Sequence, residues 1–512
     1  MKLQANNTGM ILAGLLLAIL MASMDNTIVA TAMGTIVGEL GGLDKFVWVT
    51  SAYMVAEMAG MPIFGKLSDM YGRKRFFIFG IIVFMAGSAL CGTAESIIQL
   101  SLYRAVQGIG AGALVPVAFT IMFDAVTPEN RGKLGGLFGA VFGMSSIFGP
   151  LLGAYITDYI TWQWIFYLNL PLGLLSLVFV AFFYHESRQH ARQQIDWAGA
   201  ATLVGAVVCL MFAMELGGKE YAWNSLPIIG LFTVFVLFAA LFVLAEKRAV
   251  EPIVAFRMFR SRLYATSNMV AVFSGAAYIT ASVYIPIFIQ GVLGGSATNS
   301  GLVLLPMMVG SVVTATVGGF LIQRFSFRAV MLPTLVLLVA GLALLSTLTA
   351  DSSRLSIVLY MIMAGLGIGA SFSVLSNAAI HSFPPQQRGA ATSTLNFLRS
   401  LGMAIGITIF GILQSHSLTR HMAATATGSQ DLSLADSHTL LDPAVRSRMP
   451  EQLLSVITEG LASSISVTFA WSVLPALLAL GAAFAMSREK LDPAAEAEAH
   501  AAAQSEGYAT SH

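Results

Sequence analysis

Charge is scarce in this chain: Asp, Glu, Lys and Arg make up 10% of its 512 residues, against roughly a quarter in an ordinary soluble domain. Together with 56% apolar residues and a mean hydropathy of +0.78, that scarcity excludes a water-soluble globule, which needs a charged surface. Cysteine is scarcer still. Cys91 and Cys209 stand in apolar runs without a C-x-x-C pair or metal-ligand spacing, and read as small core residues. The eight histidines are scattered, so neither a metal or cofactor site nor a catalytic constellation is expected, and the chain does not read as an enzyme. With a net charge of +1 and no clustered basic face, nucleic acid is not expected as a partner. The ten-residue alternation of an outer-membrane barrel is also missing.

What the chain has instead is runs of about 20 apolar residues, each long enough to cross a hydrocarbon layer of about 30 Å as a helix. The runs lie at 10–34, 47–65, 76–94, 98–123, 134–157, 162–184, 197–215, 226–245, 264–289, 300–322, 328–349, 354–376, 395–415 and 465–487. An all-α membrane protein of fourteen spans follows, with membrane lipid as its solvent. The first run contains Asp25 and is not followed by a signal-peptide cleavage site, so it reads as the first span. With the N-terminus inside, nineteen Lys and Arg fall in inner segments, six in outer ones and two (Arg104, Arg399) within spans, accounting for all 27. Both termini are therefore expected in the cytoplasm of an inner-membrane protein.

The halves repeat. Tyr103, Gly108, Gly110 and Gly112 recur as Tyr360, Gly365, Gly367 and Gly369, and Arg131-Gly132 as Arg388-Gly389, all displaced by 257 positions. This divides the chain into a six-helix half at 1–192, two inserted spans at 193–260, a second six-helix half at 261–487 and a disordered tail at 488–512. Paired halves of this kind place a transport site between them and rock around it. The polar outer stretch 416–464 is the one long loop, and its part from Pro450 to Ala462 suggests a short amphipathic surface helix.

Between spans two and three stands Gly65-Lys66-Leu67-Ser68-Asp69-Met70-Tyr71-Gly72-Arg73-Lys74-Arg75. Gly65 and Gly72 permit close packing and a tight turn, and Asp69 near Arg73 can latch helix ends. Gly60 and Gly65-Lys66 also begin a nucleotide-binding P-loop, but Leu67 stands where a Ser or Thr must hold magnesium and an apolar span precedes it, so ATP hydrolysis is discounted. Span five carries Gly136, Gly139, Gly143, Gly149-Pro150 and Gly153, small residues that let helices approach and a proline that kinks them. The 65–75 loop resembles the signature of the major facilitator superfamily, and span five resembles the antiporter signature of its drug exporters, with Ser145 and Ala154 in place of two glycines. Met24-Asp25-Asn26-Thr27-Ile28-Val29, the stretch Trp162 to Pro171, Asp196-Trp197 and the fourteen spans are similar to the fourteen-span drug/proton antiporter branch of multidrug and quaternary-ammonium resistance. The resemblance implies the major facilitator fold of two six-helix halves plus two inserted helices. It also implies gating roles for Gly65, Asp69, Gly72, Arg73, Asp124, Gly149, Pro150 and Gly153, with Asp124 joining the latch.

Few ionisable residues lie inside spans: Asp25, Glu57, Arg104 and Arg399. Each costs about 2.5–3.5 kcal/mol to insert, which makes it a functional candidate. Asp25, Glu57 and Arg104 are the expected proton-coupling residues. Asp25 and Arg104 hold matching places in the family pattern; Glu57 does not. A carboxylate wanted by both a proton and a cationic cargo would exchange one for the other; structural pairing of Asp25 with Arg104 is the competing reading. Cargo contacts are expected from Asp25, Glu57, Met21, Met54, Met58, Phe142, Tyr278, Tyr284, Phe288, Asn377 and Asn396, on spans that line the cavity in relatives. Some fourteen-span relatives carry acids in spans ten and thirteen; their absence here favours monocationic or neutral cargo over dications.

The leading expectation is thus a proton-coupled antiporter that exports lipophilic, often cationic, drugs by alternating access. It would act as a monomer, with any periplasmic adaptor left open. The rivals are a major facilitator exporter dedicated to one metabolite, lipid or siderophore, and a non-transporting membrane sensor or assembly subunit using the outer loop.

Overall fold

The computed structural model describes residues 5–41, 47–126, 131–186, 195–218, 220–294, 297–381, 383–384, 387–425 and 451–490. In chain order the helices are α1 (Ala5–Leu40), α2 (Val47–Tyr71), α3 (Arg73–Cys91), α4 (Ile97–Ala125), α5 (Arg131–Tyr159), α6 (Trp164–Tyr167), α7 (Asn169–Phe183), α8 (Trp197–Leu216) and α9 (Leu226–Arg248). After a 3-10 turn at Phe256–Arg260 follow α10 (Arg262–Gly291), α11 (Ala297–Leu321), α12 (Phe327–Leu345), α13 (Arg354–His381), α14 (Arg388–Thr425) and α15 (Glu451–Phe484). The bundle is all helical among the described residues, with no named strand. Helices close their own backbone hydrogen bonds, as lipid demands.

Twelve of the helices among the described residues are long and apolar enough to cross a membrane, rather than the fourteen expected. The sixth expected span is α6 and α7 together, counted as one. Helices α2 and α5 occupy the other two expected places without joining the twelve. Glu57, Lys66 and Asp69 dilute the apolar character of α2, and part of the side chains of α5 lie outside the described residues. The surface helix expected over 450–462 is corrected: Glu451 opens a single helix of 34 residues that runs on to Phe484. Its apolar face continues into the last span, with Ile457, Leu461 and Phe469 buried in one core, so nothing breaks the helix at the surface. Residues 426–450 of the outer stretch, the 192/193 boundary and residues 491–512 of the tail lie outside the described residues.

The repeat has a packing counterpart. Helix α4 lies against α2 and α3, and α13 lies against α11 and α12. Gly112 lets α4 close on the Glu57 carbonyl of α2; Gly369, 257 positions on, lets α13 close on the Ser311 carbonyl of α11. One core gathers residues from Met258 to Met486, while two others gather residues from Ile11 to Tyr184 with Ile380 added. Across the middle, α2 meets α14 and α5 meets α11. The pair α8 and α9 sits at the flank, where α8 touches α2 and α14 and α9 buries only Ile228 and Glu246.

Candidate functional site

Asp25 of α1, 1% exposed although it sits on a span, is met by side chains of α4 and α7, to which α2 and α3 add contacts. Arg104 and Gln107 stand three residues apart on α4 and so share a face. The Arg104 guanidinium pairs with Asp25 Oδ2. Gln107 Nε2 and Asn169 Nδ2, the latter from α7, each donate to Asp25 Oδ1 at 2.8 Å. The same two amides donate to Ser88 Oγ of α3 at 2.6 and 2.9 Å. Arg104 donates further to Gln107 Oε1 at 2.7 Å, the Val49 carbonyl at 3.3 Å and Asn26 Oδ1 at 3.4 Å, and its guanidinium lies 4.1 Å from the centre of the Tyr53 ring. The cluster is an ion pair whose carboxylate oxygens are all engaged, an arrangement that makes burying two charges more tolerable, while Asn169 Oδ1 and the Tyr53 hydroxyl have no hydrogen-bond partner among the described residues. Asp25 therefore has no lobe turned toward cargo in this conformation, and the pairing with Arg104 that competed with the coupling role is the geometry observed.

Glu57 is different. It is half-buried on α2, and its side chain makes no hydrogen bond or ion pair among the described residues. The expected cargo residues scatter. Met21 packs in the core of the first half, and Met58 in the cluster joining α2, α8 and Phe397 of α14. Met54 is exposed. Tyr284 and Phe288 are buried in the core of the second half, with Tyr278 packed against it. Asn377 Nδ2 donates to the Ser373 carbonyl within its own helix, and Asn396 Oδ1 accepts from Arg399. Phe142 lies on α5 with its side chain outside the described residues. A groove of about 720 Å³ between α2, α4 and α8 is bounded by Trp48, Phe64, Leu102 and Phe212 and contains none of these residues.

The 65–75 loop brings its expected gating residues together. Gly72 takes φ 109°, a left-handed turn between α2 and α3 that suits glycine. Arg73 Nη2 donates to Asp69 Oδ1 at 2.9 Å, and the other arm of Arg73 pairs with Asp124 at the end of α4. Asp124 also lies 3.5 Å from Arg388, and Asp69 Oδ2 accepts the Ala390 N–H at 2.8 Å, so the latch reaches into α14 of the second half. Gly65 lets α2 approach Ser393 and Gly389 of the same helix. Gly149 and Gly153 of α5, flanking Pro150, receive Thr27 and Thr31 of α1, and Thr27 Oγ1 donates to the Ser145 carbonyl at 3.0 Å.

Several partners of these residues had been given no role from the sequence. Asn169 stands inside the Trp162 to Pro171 stretch that resembles the family, and Gln107 stands one helical turn from Arg104, which were the available signals. Ser88 gave none. Glu186 accepts the Arg73 and Lys74 N–H groups at 3.0 and 3.3 Å, satisfying the open start of α3, and Lys66 pairs with Glu251 at 2.6 Å.

The family model of the Major Facilitator Superfamily matches residues 15–407. The chain belongs to that superfamily. It is 50% identical over 497 residues to Multidrug resistance protein 3 of Bacillus subtilis, covering 96% of this chain and 97% of that protein. It is 37% identical over 406 residues to Multidrug transporter protein MdtP of the same organism, covering 79% and 75%. Among solved structures the human organic anion transporter MFSD10 aligns with a TM-score of 0.60 at 16% identity, over 92% of this chain and 99% of that one. The proton:xylose symporter XylE aligns at 0.57 and 13%, over 92% and 95%. These two share the fold with this major facilitator protein. The superfamily is one of membrane transporters, so the multi-pass helical reading stands.

Proposed function

We propose that this major facilitator protein exports lipophilic, often monocationic drugs in exchange for protons, by alternating access between its halves. The observation that carries the reading is the buried cluster of Asp25, Arg104, Gln107 and Asn169, an acid whose protonation would release a guanidinium at the heart of the first half. The near full-length likeness to a protein named for multidrug resistance supports the cargo class. In this reading Asp25 is the proton-coupling acid, and Glu57, whose side chain makes no hydrogen bond or ion pair among the described residues, meets the cation. Cargo and proton then compete through the shared field of the two acids rather than for one carboxylate. The 65–75 latch closes the cytoplasmic end, where both termini lie, and the protein works in the inner membrane as a monomer. Inward proton flow supplies about 2.3 kcal/mol per charge for each 100 mV.

The test is drug-dependent proton release from the purified protein in detergent, paired with uptake of a fluorescent cation by everted vesicles with and without a pH gradient. Wild type releases protons on adding drug and transports only with the gradient; Asp25→Asn does neither, and Glu57→Gln binds the cation more weakly. Absence of release, with wild type and Asp25→Asn indistinguishable, rejects proton coupling at this cluster.

A further inference from the structure

The two guanidiniums buried within spans have opposite surroundings. Arg104 has an acid, whereas Arg399 on α14, 9% exposed, has no carboxylate partner among the described residues. Its hydrogen bonds go to neutral oxygens: Nη1 donates to Asn396 Oδ1 at 3.3 Å and Nη2 to the Ser371 carbonyl at 3.0 Å. One face lies 5.0 Å from the centre of the Phe372 ring, whose edge in turn meets Tyr278 of α10. A buried charge left in this state is not fully compensated for the hydration it has lost.

The groups beside it are also unsatisfied. Asn396 Nδ2 and Ser371 Oγ have no hydrogen-bond partner among the described residues, and these residues are 7% and 1% exposed. Buried polar atoms are nearly always satisfied, so orphans grouped around an unpaired cation mark the place of a missing acceptor. Two helices, α13 and α14, supply them.

We propose that Arg399, Asn396 and Ser371 form an anion subsite in the second half that takes the carboxylate of an amphiphilic cargo. A guanidinium offers a carboxylate two parallel N–H donors. One unopposed positive charge beside two aromatic rings suits a monoanion on an apolar body better than a doubly charged phosphate. Since α14 packs against α2, which carries Glu57, the facing helices of the two halves hold a base and an acid, an arrangement for zwitterions. The assignment of cargo rests on the export reading above; the binding site itself does not.

The experiment therefore measures binding, on the purified full chain in detergent, through its melting temperature in a sulfate buffer titrated with benzoate, with its neutral isostere benzamide or with chloride. Benzoate raises the melting temperature of the wild type and benzamide does not. Arg399→Gln weakens the benzoate effect by about tenfold or more, the loss of one charge-assisted contact, and Arg399→Lys restores part of it. Asn396→Asp places a built-in carboxylate against the guanidinium; it keeps the fold and abolishes the benzoate response, which decides the matter if Arg399→Gln does not fold. Equal or absent shifts with benzoate and benzamide, or an undiminished benzoate shift in Asn396→Asp, overturn the subsite. A chloride shift without a benzoate shift makes the occupant an inorganic ion and overturns the carboxylate assignment. Loss of drug efflux alone touches the export reading and leaves these outcomes unchanged.

Discussion

The Asp69 carboxylate of α2 accepts the backbone N–H of Ala390 at 2.8 Å, so an acid of the first half closes on the opening turn of a helix in the second. The first N–H groups of a helix have no partner within it and carry its positive end, so a carboxylate there is stabilised twice over. Arg73 holds the other oxygen of Asp69 at 2.9 Å and fixes its direction.

Replacing Asp69 with Asn keeps an acceptor but removes the charge. Breaking a buried pair costs about 3–5 kcal/mol, and Asp124 retains part of the hold on Arg73. The expected outcome is a shift of at least roughly tenfold toward the form open at this end. Spin labels on α2 and α14 near the latch would report it as a second, longer distance; an unchanged distribution refutes the latch.

Asp25→Asn leaves Arg104, which is fully buried, without its countercharge. The loss expected in stability is about 3–5 kcal/mol. Removing both charges, as Asp25→Asn with Arg104→Gln, restores more than half of it, because the two residues couple directly. Melting of the four proteins in detergent gives the coupling energy. Additive losses mean the ion pair does not hold the first half together.

Lys66→Ala has a smaller effect. Its partner Glu251 is 29% exposed at the side chain and Lys66 is 14% exposed. Pairs open to solvent contribute about 0–1 kcal/mol, so the melting temperature changes little and the change shrinks further in high salt. A loss as large as that of Asp69→Asn would make Lys66 a latch member.

Gly112→Ala puts a Cβ 2.6 Å from the Glu57 carbonyl oxygen, a backbone atom that cannot step aside. Overpacking of this kind costs about 1–3 kcal/mol. Gly34→Ala on α1 meets nothing within 4 Å among the described residues and serves as the neutral comparison. Matching stabilities for the two variants contradict the close approach of α4 to α2.

The helical bundle and the 65–75 latch were legible in the sequence because each rests on local signals: apolar runs, and a loop whose glycines and charges act within a few residues of one another. Asp25 and Arg104 were legible as charges in spans, which are rare for a physical reason. That they face one another was not, since the contact joins positions 79 apart and depends on how α1 and α4 pack. Ser88 is one serine among many on apolar helices, and only the convergence of Gln107 and Asn169 on its oxygen sets it apart. Met21, Tyr284 and Phe288 illustrate the converse: an apolar side chain on a cavity-forming span has as much reason to face the core as the cleft. The number of spans depended on α2 and α5, and in α2 the charges of Glu57, Lys66 and Asp69 dilute the apolar run.

Helices α14 and α15 run 38 and 34 residues, about 57 and 51 Å, against a hydrocarbon layer of about 30 Å. Their surplus turns stay paired: Gln414 Nε2 donates to Ser464 Oγ at 3.3 Å, and Leu418, Ile457 and Leu461 are buried in the same core as the spans below. The result is a stiff mast of roughly 20 Å rooted in one half of the transporter. Any tilt of that half sweeps the masthead through a wider arc than the helices at the bilayer, so a label fixed there would follow the transport cycle from outside the membrane.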